Sequence, residues 1–267
     1  MGGPGRTGSR RARTVLSEPE IVRRLRAAGC VFAEDEAHLL VAAFRSPAEL
    51  AARVGRRVAG VPLEHVLGWA EFCGLRISVD PGVFVPRHRT EFLVRQAAVR
   101  TPPGAVVVDL CCGSGALGVA LAAATEGLEL HAVDIDPAAV RSARRNVGPL
   151  GGHVYRGDLY APLPGRLRGR VDVLLANAPY VPTEEIRLLP PEARDHEHRV
   201  ALDGGADGLD VLRRVIADAE RWLAPAGVLL IEAGRHQAAA LGELVGTAGL
   251  RCRTESAEDA HVVIVTR

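Results

Sequence analysis

The spacing of apolar positions along the chain changes character twice. From about Val15 to Gly60, Val22, Leu25, Leu39, Leu40, Ala43, Leu50 and Val54 recur at helical spacing, interrupted at Gly29 and at Ser46-Pro47. This predicts a small helical unit over residues 14–61, preceded by a flexible tail over 1–13. Between Pro62 and Pro86 the pattern becomes strand-like. Phe72, Leu75, Ile77 and Val79 lead into Asp80-Pro81-Gly82, with Val83-Phe84-Val85 beyond, which predicts a β-hairpin linker over 62–90 that turns at 80–82. From Ala105 onward, short β-branched runs alternate with amphipathic stretches, the signature of parallel strands joined by crossover helices. Strands are expected at 105–110, 129–134, 153–156, 171–176 and 227–233, with a closing pair near 250–253 and 261–266. Helices are expected at about 116–124, 137–146, 209–223 and 237–247. An α/β domain is therefore expected over 91–267.

Composition narrows the partners. The 267 residues are 48% apolar and carry 33 basic against 32 acidic side chains, a formal charge of +1. No global field draws the protein to nucleic acid or to an anionic membrane, and no apolar run approaches the ~18 residues of a membrane span. Five cysteines, odd in number and without a Cys-x-x-Cys, argue against a disulfide framework or a zinc site. A cytoplasmic monomer is expected, and the residues after Met1 lack the apolar region of a secretion signal.

Two segments carry candidate chemistry. The first is Asp109-Leu-Cys-Cys-Gly113-Ser-Gly115-Ala-Leu-Gly118, a tight turn that opens a helix after a strand. Glycines there let the backbone approach a ligand, and the free N–H groups of the helix start favour a carboxylate or phosphate. Cys111, Cys112, Gly113, Ser114 and Gly115 are thus cofactor-contact candidates. The three glycines also satisfy G-x-G-x-x-G, so a nicotinamide dinucleotide competes with a nucleoside such as S-adenosylmethionine. Asp134, ending the second strand, can accept from both ribose hydroxyls of either ligand. Asp109 favours the nucleoside, because a carboxylate suits a sulfonium and an ammonium better than a pyrophosphate. Asp158-Leu159 is placed to bond an adenine amine and to cover its ring.

The second segment is Asn177-Ala178-Pro179-Tyr180, where a buried strand ends in an amide and a phenol. Adjacent strands of a doubly wound sheet would bring this tip beside the glycine loop. Asn177 and the Ala178 carbonyl can accept the two N–H groups of a planar NH₂, Tyr180 offers a face on which it stacks, and Pro179 stiffens the corner.

These segments resemble those of the HemK/PrmC-type protein-(glutamine-N5) methyltransferases. PLEHVLGWAEFCGL and FVPRHRTE are similar to that family's linker, DLCCGSGALG to its cofactor loop, AVDIDP to its ribose acid and NAPY to its clamp. PEARDHEHRVALDGGADGLDVLRRVI matches a distinctive segment after the clamp. The resemblance implies a class I S-adenosylmethionine-dependent methyltransferase with a Rossmann-like seven-stranded sheet and a small helical N-terminal domain. It implies cofactor contacts at Cys111–Gly115, Asp134, Leu159 and Asn177, substrate contacts at Asn177–Tyr180, and as partner a peptide-chain release factor bearing its glutamine in a Gly-Gly-Gln loop. Three departures stand out: Ala178 replaces the first proline of Asn-Pro-Pro-Tyr, Cys111-Cys112 replace a glycine and a small polar residue, and His88-Arg89 replace a proline and an acid. Two other readings remain open at this point, an amino-group methyltransferase on a flipped nucleic-acid base and a non-catalytic adapter of the same fold. His196-Glu197-His198 reads as a solvated loop, with no metal expected.

Overall fold

The run Val-Val-Val-Asp-Leu at Val106–Leu110 forms a strand, β3, buried at all five positions. In the computed structural model, which describes residues 16–267, the site is arranged around it. The tail expected over 1–13 lies outside the described residues. β3 pairs in parallel with β4 (Glu129–Asp134) on one side and β6 (Val171–Ala176) on the other. β5 (His153–Arg156) continues beyond β4, and β7 (Leu223–Glu232) runs parallel to β6. Antiparallel β9 (Ala260–Thr266) and β8 (Arg251–Ala257) complete the other edge. The order β5-β4-β3-β6-β7-β9-β8 is a seven-stranded, mostly parallel sheet, and every strand expected from the alternation is present.

A central strand buried on both faces needs a helical layer on each. Successive residues of β3 point to opposite faces. Val106, Val108 and Leu110 join a core with Leu212, Val215 and Ile216 of α9 (Asp210–Trp222) and Leu241 of α10 (Ala238–Thr247). Val107 joins the other core, with Leu93 of α5 (Glu91–Ala98), Leu117 and Leu121 of α6 (Ala116–Ala124) and Ala143 of α7 (Pro137–Val147). The chain proceeds from β3 out through β4 to β5, then returns to β6 beside β3. The connections leaving β3 and β6 therefore diverge, and the crevice between them is where open α/β sheets bind ligands.

The chain divides into two compact units between Val66 and Leu67. In the smaller, α1 (Glu18–Ala27), α2 (Ala33–Ala43) and α3 (Pro47–Val58) bury Ile21, Leu25, Leu40, Leu50 and Val54, while Val22 and Leu39 are half-buried and Ala43 is exposed. Gly29 ends α1 at φ 91°, so that the Cys30 N–H reaches the Leu25 carbonyl and the Gly29 N–H that of Arg26. Arg57 grips Glu36 through two N–H donors at 2.5 and 3.0 Å in a buried pair. A short helix, α4 (Leu63–Leu67), follows.

One element differs from expectation. The hairpin is formed by β1 (Trp69–Phe72) and β2 (Leu75–Ser78), and it turns at Cys73-Gly74, not at 80–82. Both turn residues have positive φ, 51° and 73°, the arrangement whose twist matches that of antiparallel strands. Cys-Gly supplies this geometry without the Asn-Gly or Asp-Gly that would announce it. Phe72 and Ile77 enter the second core, so the hairpin packs within the larger unit.

Candidate active site

Leu110 and Ala176 are the last paired residues of β3 and β6, so Cys111 and Asn177 leave the sheet side by side. Between them opens a cavity of about 810 Å³, lined by Cys111–Ser114, Asp134–Asp136, Asp158-Leu159 and Asn177–Tyr180. The sheet thus brings together nearly every residue singled out from the sequence.

On the β3 side, backbone geometry dominates. Cys111, Gly113 and Gly115 all have positive φ, 53°, 55° and 78°. A Cβ on Gly115 would lie 2.8 Å from Val147 Cγ2. Asp134 holds the loop, accepting from Gly113 N at 2.8 Å through one carboxylate oxygen and from Asp136 N at 2.9 Å through the other. Burial pushes its carboxyl up to about 6 against those two N–H donors. Asp136 in turn caps α7 by accepting from Ala138 N at 2.8 Å, with Pro137 in the first turn.

Asp109 departs from its expected role. It does not line the cavity; it is fully buried beneath the loop and accepts from Gly118 N at 3.1 Å, at the start of α6. Its other oxygen has no hydrogen-bond partner, and burial pushes the carboxyl up to about 7. The residue is the fourth of five in a strand whose side chains alternate between two cores, which turns it under the helix start and away from the ligand crevice. Asp158 lines the cavity, but its carboxylate accepts from Arg214 at 2.5 Å. Leu159 beside it is buried at φ 46°.

On the β6 side, distant segments hold the corner. Asn177 lines the cavity and its carboxamide makes no hydrogen bond among the described residues; Ala178 is buried in the first core. The Tyr180 hydroxyl accepts from Arg89 at 2.7 Å and donates to Glu232 at 3.5 Å, while its main-chain carbonyl accepts from Gln237 Nε2 at 2.9 Å. The segment after the clamp folds back onto it: Val181 N donates to Leu202 O at 3.1 Å and Gly204 N to Val181 O at 2.9 Å. Gly208 lies so close that a Cβ there would stand 2.2 Å from the Tyr180 carbonyl oxygen.

The His196–His198 stretch, expected to be solvated, begins where α8 (Pro191–His196) ends and is instead pinned at two points. The Glu197 side chain is fully buried and accepts from Val85 N at 3.1 Å and from Arg87 at 2.5 Å. His198 Nδ1 lies 2.6 Å from Asp136 Oδ2. Both bonds end on Oε1, so a main-chain N–H and a guanidinium partner this carboxylate where water is excluded. Among the described residues no cluster of side chains could hold a metal ion.

Glu232 and Gln237 escaped the sequence reading. Glu232 ends β7 as Asn177 follows β6, a polar residue after a hydrophobic run, and that shared pattern was the available signal. Gln237 carried none, because its role depends on the fold bringing the start of α10 to the clamp.

A family described as Methyltransferase small domain matches residues 74–189. The release factor glutamine methyltransferase of Geobacter sulfurreducens is 40% identical over 221 residues, 81% of this chain and 76% of that protein. The Streptomyces coelicolor protein of the same name is 42% identical over 67% of this chain and 65% of its own length. A 4-amino-L-phenylalanine/4-methylamino-L-phenylalanine methyltransferase of Streptomyces pristinaespiralis is 38% identical over 73% of this chain and 69% of its own. Among solved structures, a ribosomal protein L11 methylase from Lactobacillus delbrueckii subsp. bulgaricus superposes with TM-score 0.52 at 18% identity, covering 72% of this chain and 84% of that one. That likeness is one of fold.

Proposed function

The chain belongs to the release factor glutamine methyltransferase family, and on that premise we propose that it methylates the side-chain nitrogen of the glutamine in a Gly-Gly-Gln loop of a peptide-chain release factor, as a cytoplasmic monomer using S-adenosylmethionine. The observation that carries this reading is the pairing of an uncommitted Asn177 carboxamide with the cofactor loop at the mouth of one cavity. Five free thiols and the lack, among the described residues, of a helix long and apolar enough to cross a membrane accord with the expected compartment.

The residues present fit the cofactor. Within that one cavity, Asp134 would accept from a ribose diol, Leu159 and the half-exposed Ile135 would cover an adenine, and Cys111–Ser114 would lie along the remainder. When bound, S-adenosylmethionine supplies a methyl group made electrophilic by its sulfonium. The protein's part is to present the acceptor. An amide nitrogen is a poor nucleophile because its lone pair is delocalised into the carbonyl, and no side chain deprotonates it at neutral pH. Asn177 Oδ1 accepts one N–H and the Ala178 carbonyl the other, which fixes the nitrogen and leaves its face open. The Tyr180 ring lies against the amide plane, and Pro179 restricts the corner. Such alignment contributes up to roughly 7–11 kcal/mol in the best intramolecular models. The surplus proton leaves to water after transfer.

Incubation of the full chain with labelled S-adenosylmethionine and a release factor, followed by mass-spectrometric localisation, tests the reading. A methyl on the Gly-Gly-Gln glutamine is expected; an unmodified glutamine overturns it. One relative is named for an aryl amine, and an aryl NH₂ is also planar, so 4-amino-L-phenylalanine in the same assay separates a small acceptor from a protein one.

A further inference from the structure

Arg89, Tyr180 and Glu232 form a closed triangle at the edge of the cavity. The Arg89 guanidinium donates to the Tyr180 hydroxyl at 2.7 Å and, through Nε, to Glu232 Oε1 at 3.4 Å; the hydroxyl donates to that same oxygen at 3.5 Å. The Glu232 side chain is 5% exposed, its second oxygen has no hydrogen-bond partner, and Arg89 is half-exposed. Glu232 does not line the cavity, whereas Arg89 and Tyr180 do.

We infer that Arg89 and Glu232 are positioning residues which act through Tyr180, fixing where its ring stands so that the acceptor nitrogen stacks in one position. This rests on the acceptor reading proposed above. A tyrosine ring swings about its first side-chain torsion, and a stacking face is useful only if it is in place before the acceptor arrives. The hydroxyl lies at the far end of the ring from the backbone, so a tether there has the greatest leverage on the swing of the ring about its first side-chain torsion, and therefore on where the ring stands. The 2.7 Å bond from the charged Arg89 guanidinium is the strong tether on the phenol, while Glu232, 3.5 Å from the hydroxyl and 3.4 Å from Arg89 Nε, is the longer-range partner of both. The main-chain end of the same residue is held by Gln237, so Tyr180 is anchored at both ends. Burial and the Glu232 carboxylate push its phenol above the ordinary range, while Arg89 and, more weakly, Arg87 pull it down.

Four variants of the full chain test the tether: Arg89→Met, Tyr180→Phe, their combination, and Glu232→Gln, which keeps an acceptor of the same shape. With a release factor as acceptor, Arg89→Met and Tyr180→Phe are each expected to lower kcat about tenfold, with cofactor affinity within about twofold of the parent. The double variant should be no slower than Tyr180→Phe alone, and Glu232→Gln should keep kcat within about threefold. Multiplying losses in the double variant, or losses that appear in cofactor affinity, overturn the inference. A second readout needs no acceptor: ultraviolet titration of the phenols, with the Tyr180 contribution identified by subtracting the Tyr180→Phe curve. In Arg89→Met the Tyr180 ionisation should move to higher pH, and an unmoved curve overturns the tether. If the parent leaves the glutamine unmodified, the acceptor reading fails and the phenol titration alone decides the tether.

Discussion

The two lips of the cavity are built in opposite ways. The lip after β3 is shaped mainly by its own backbone, with three residues of positive φ within five positions, and is held by the elements that follow it: Val133 and Asp134 of β4 accept from Cys112 N and Gly113 N, and Asn146 of α7 donates to the Ser114 carbonyl at 2.8 Å. The lip after β6 has no comparable internal support. Tyr180 is fastened by Arg89, Glu232 and Gln237, and the next residue, Val181, pairs with Leu202 and Gly204. The cofactor side is thus a local structure and the acceptor side a convergence of remote segments. A local loop tolerates change elsewhere, whereas a corner held from afar can be retuned by a substitution 30 or 90 residues away in sequence.

Substituting the acceptor lip itself should separate the two sides most sharply. Asn177→Ala removes one of the two acceptors offered to the incoming nitrogen and touches no other hydrogen bond among the described residues. The loss expected in kcat is on the order of 10²–10³, by analogy with removing one preorganised group from a charge-stabilising site. Cofactor affinity measured by calorimetry should stay within about threefold. A matching loss of cofactor binding would mean that the lips are not independent.

The remote supports come next. Gly208 sits at φ 77°, and a Cβ there would stand 2.2 Å from the Tyr180 carbonyl oxygen and 2.6 Å from Gln237 Nε2. Gly208→Ala must push the clamp or strain its own backbone, so about 3 kcal/mol of stability should be lost in urea unfolding, together with most of the activity. Gly113→Ala provides the control on the other lip, since a Cβ there would meet nothing within 4 Å and only the φ of 55° opposes it. Its cost should be about 1 kcal/mol.

This asymmetry also explains what could be read from the chain. From residue 105 on, the strands and the longer helices follow from period, because β3, β4, β6 and the second half of β7 are buried runs punctuated by turn residues, whereas the edge strand β5 exposes both its ends and the short helices α5 and α8 carried no such signal. The cofactor lip was legible for the same reason, its constraints being written in closely spaced glycines and an acid at a strand end. Of the acceptor lip, only the tip Asn177–Tyr180 was visible. Arg89 registered as an oddity without a role, and Gln237 not at all, because nothing near either in sequence refers to Tyr180. Asp109 shows the limit within the local lip: its presence at a strand end was plain, but which core its side chain would enter depended on the alternation of a strand covered on both faces. The hairpin turn at Cys73-Gly74 was missed because φ, not residue type, defines it.

Asp109 supplies a test in which pH distinguishes a buried support from a ligand contact. Its carboxyl lies at about 7 in the folded protein against an ordinary value of 3.8, so the folded state holds a proton that the unfolded state has released between those limits. The sign follows from linkage: stability from this group is complete below about pH 4 and is lost as pH rises toward 7. Asp134, at about 6, contributes in the same direction over a narrower window. Asp109→Asn keeps an acceptor for Gly118 N and does not titrate. Between pH 5 and pH 8 the parent should lose about 2 kcal/mol more stability in urea unfolding than the variant does. Equal losses would show that the carboxyl is already ionised at pH 5.

The smallest effect belongs to the one residue of the local lip that works against its own backbone. Cys111 adopts φ 53°, in a region where a side chain costs roughly 1–2 kcal/mol and glycine nothing. Glycine, however, loses more conformational freedom on folding, by about 0.5–1 kcal/mol, and Cys111→Gly also removes a thiol packed against the first core. The net gain in unfolding free energy should be below about 1 kcal/mol, seen as a rise of a few degrees or less in Tm. Its value lies in its partner measurement: because Cys111 lines the cofactor side of the cavity, any change in activity should appear in cofactor affinity, with kcat at saturating cofactor unchanged while Tm rises, whereas a change in kcat without one in Tm would assign Cys111 to acceptor positioning.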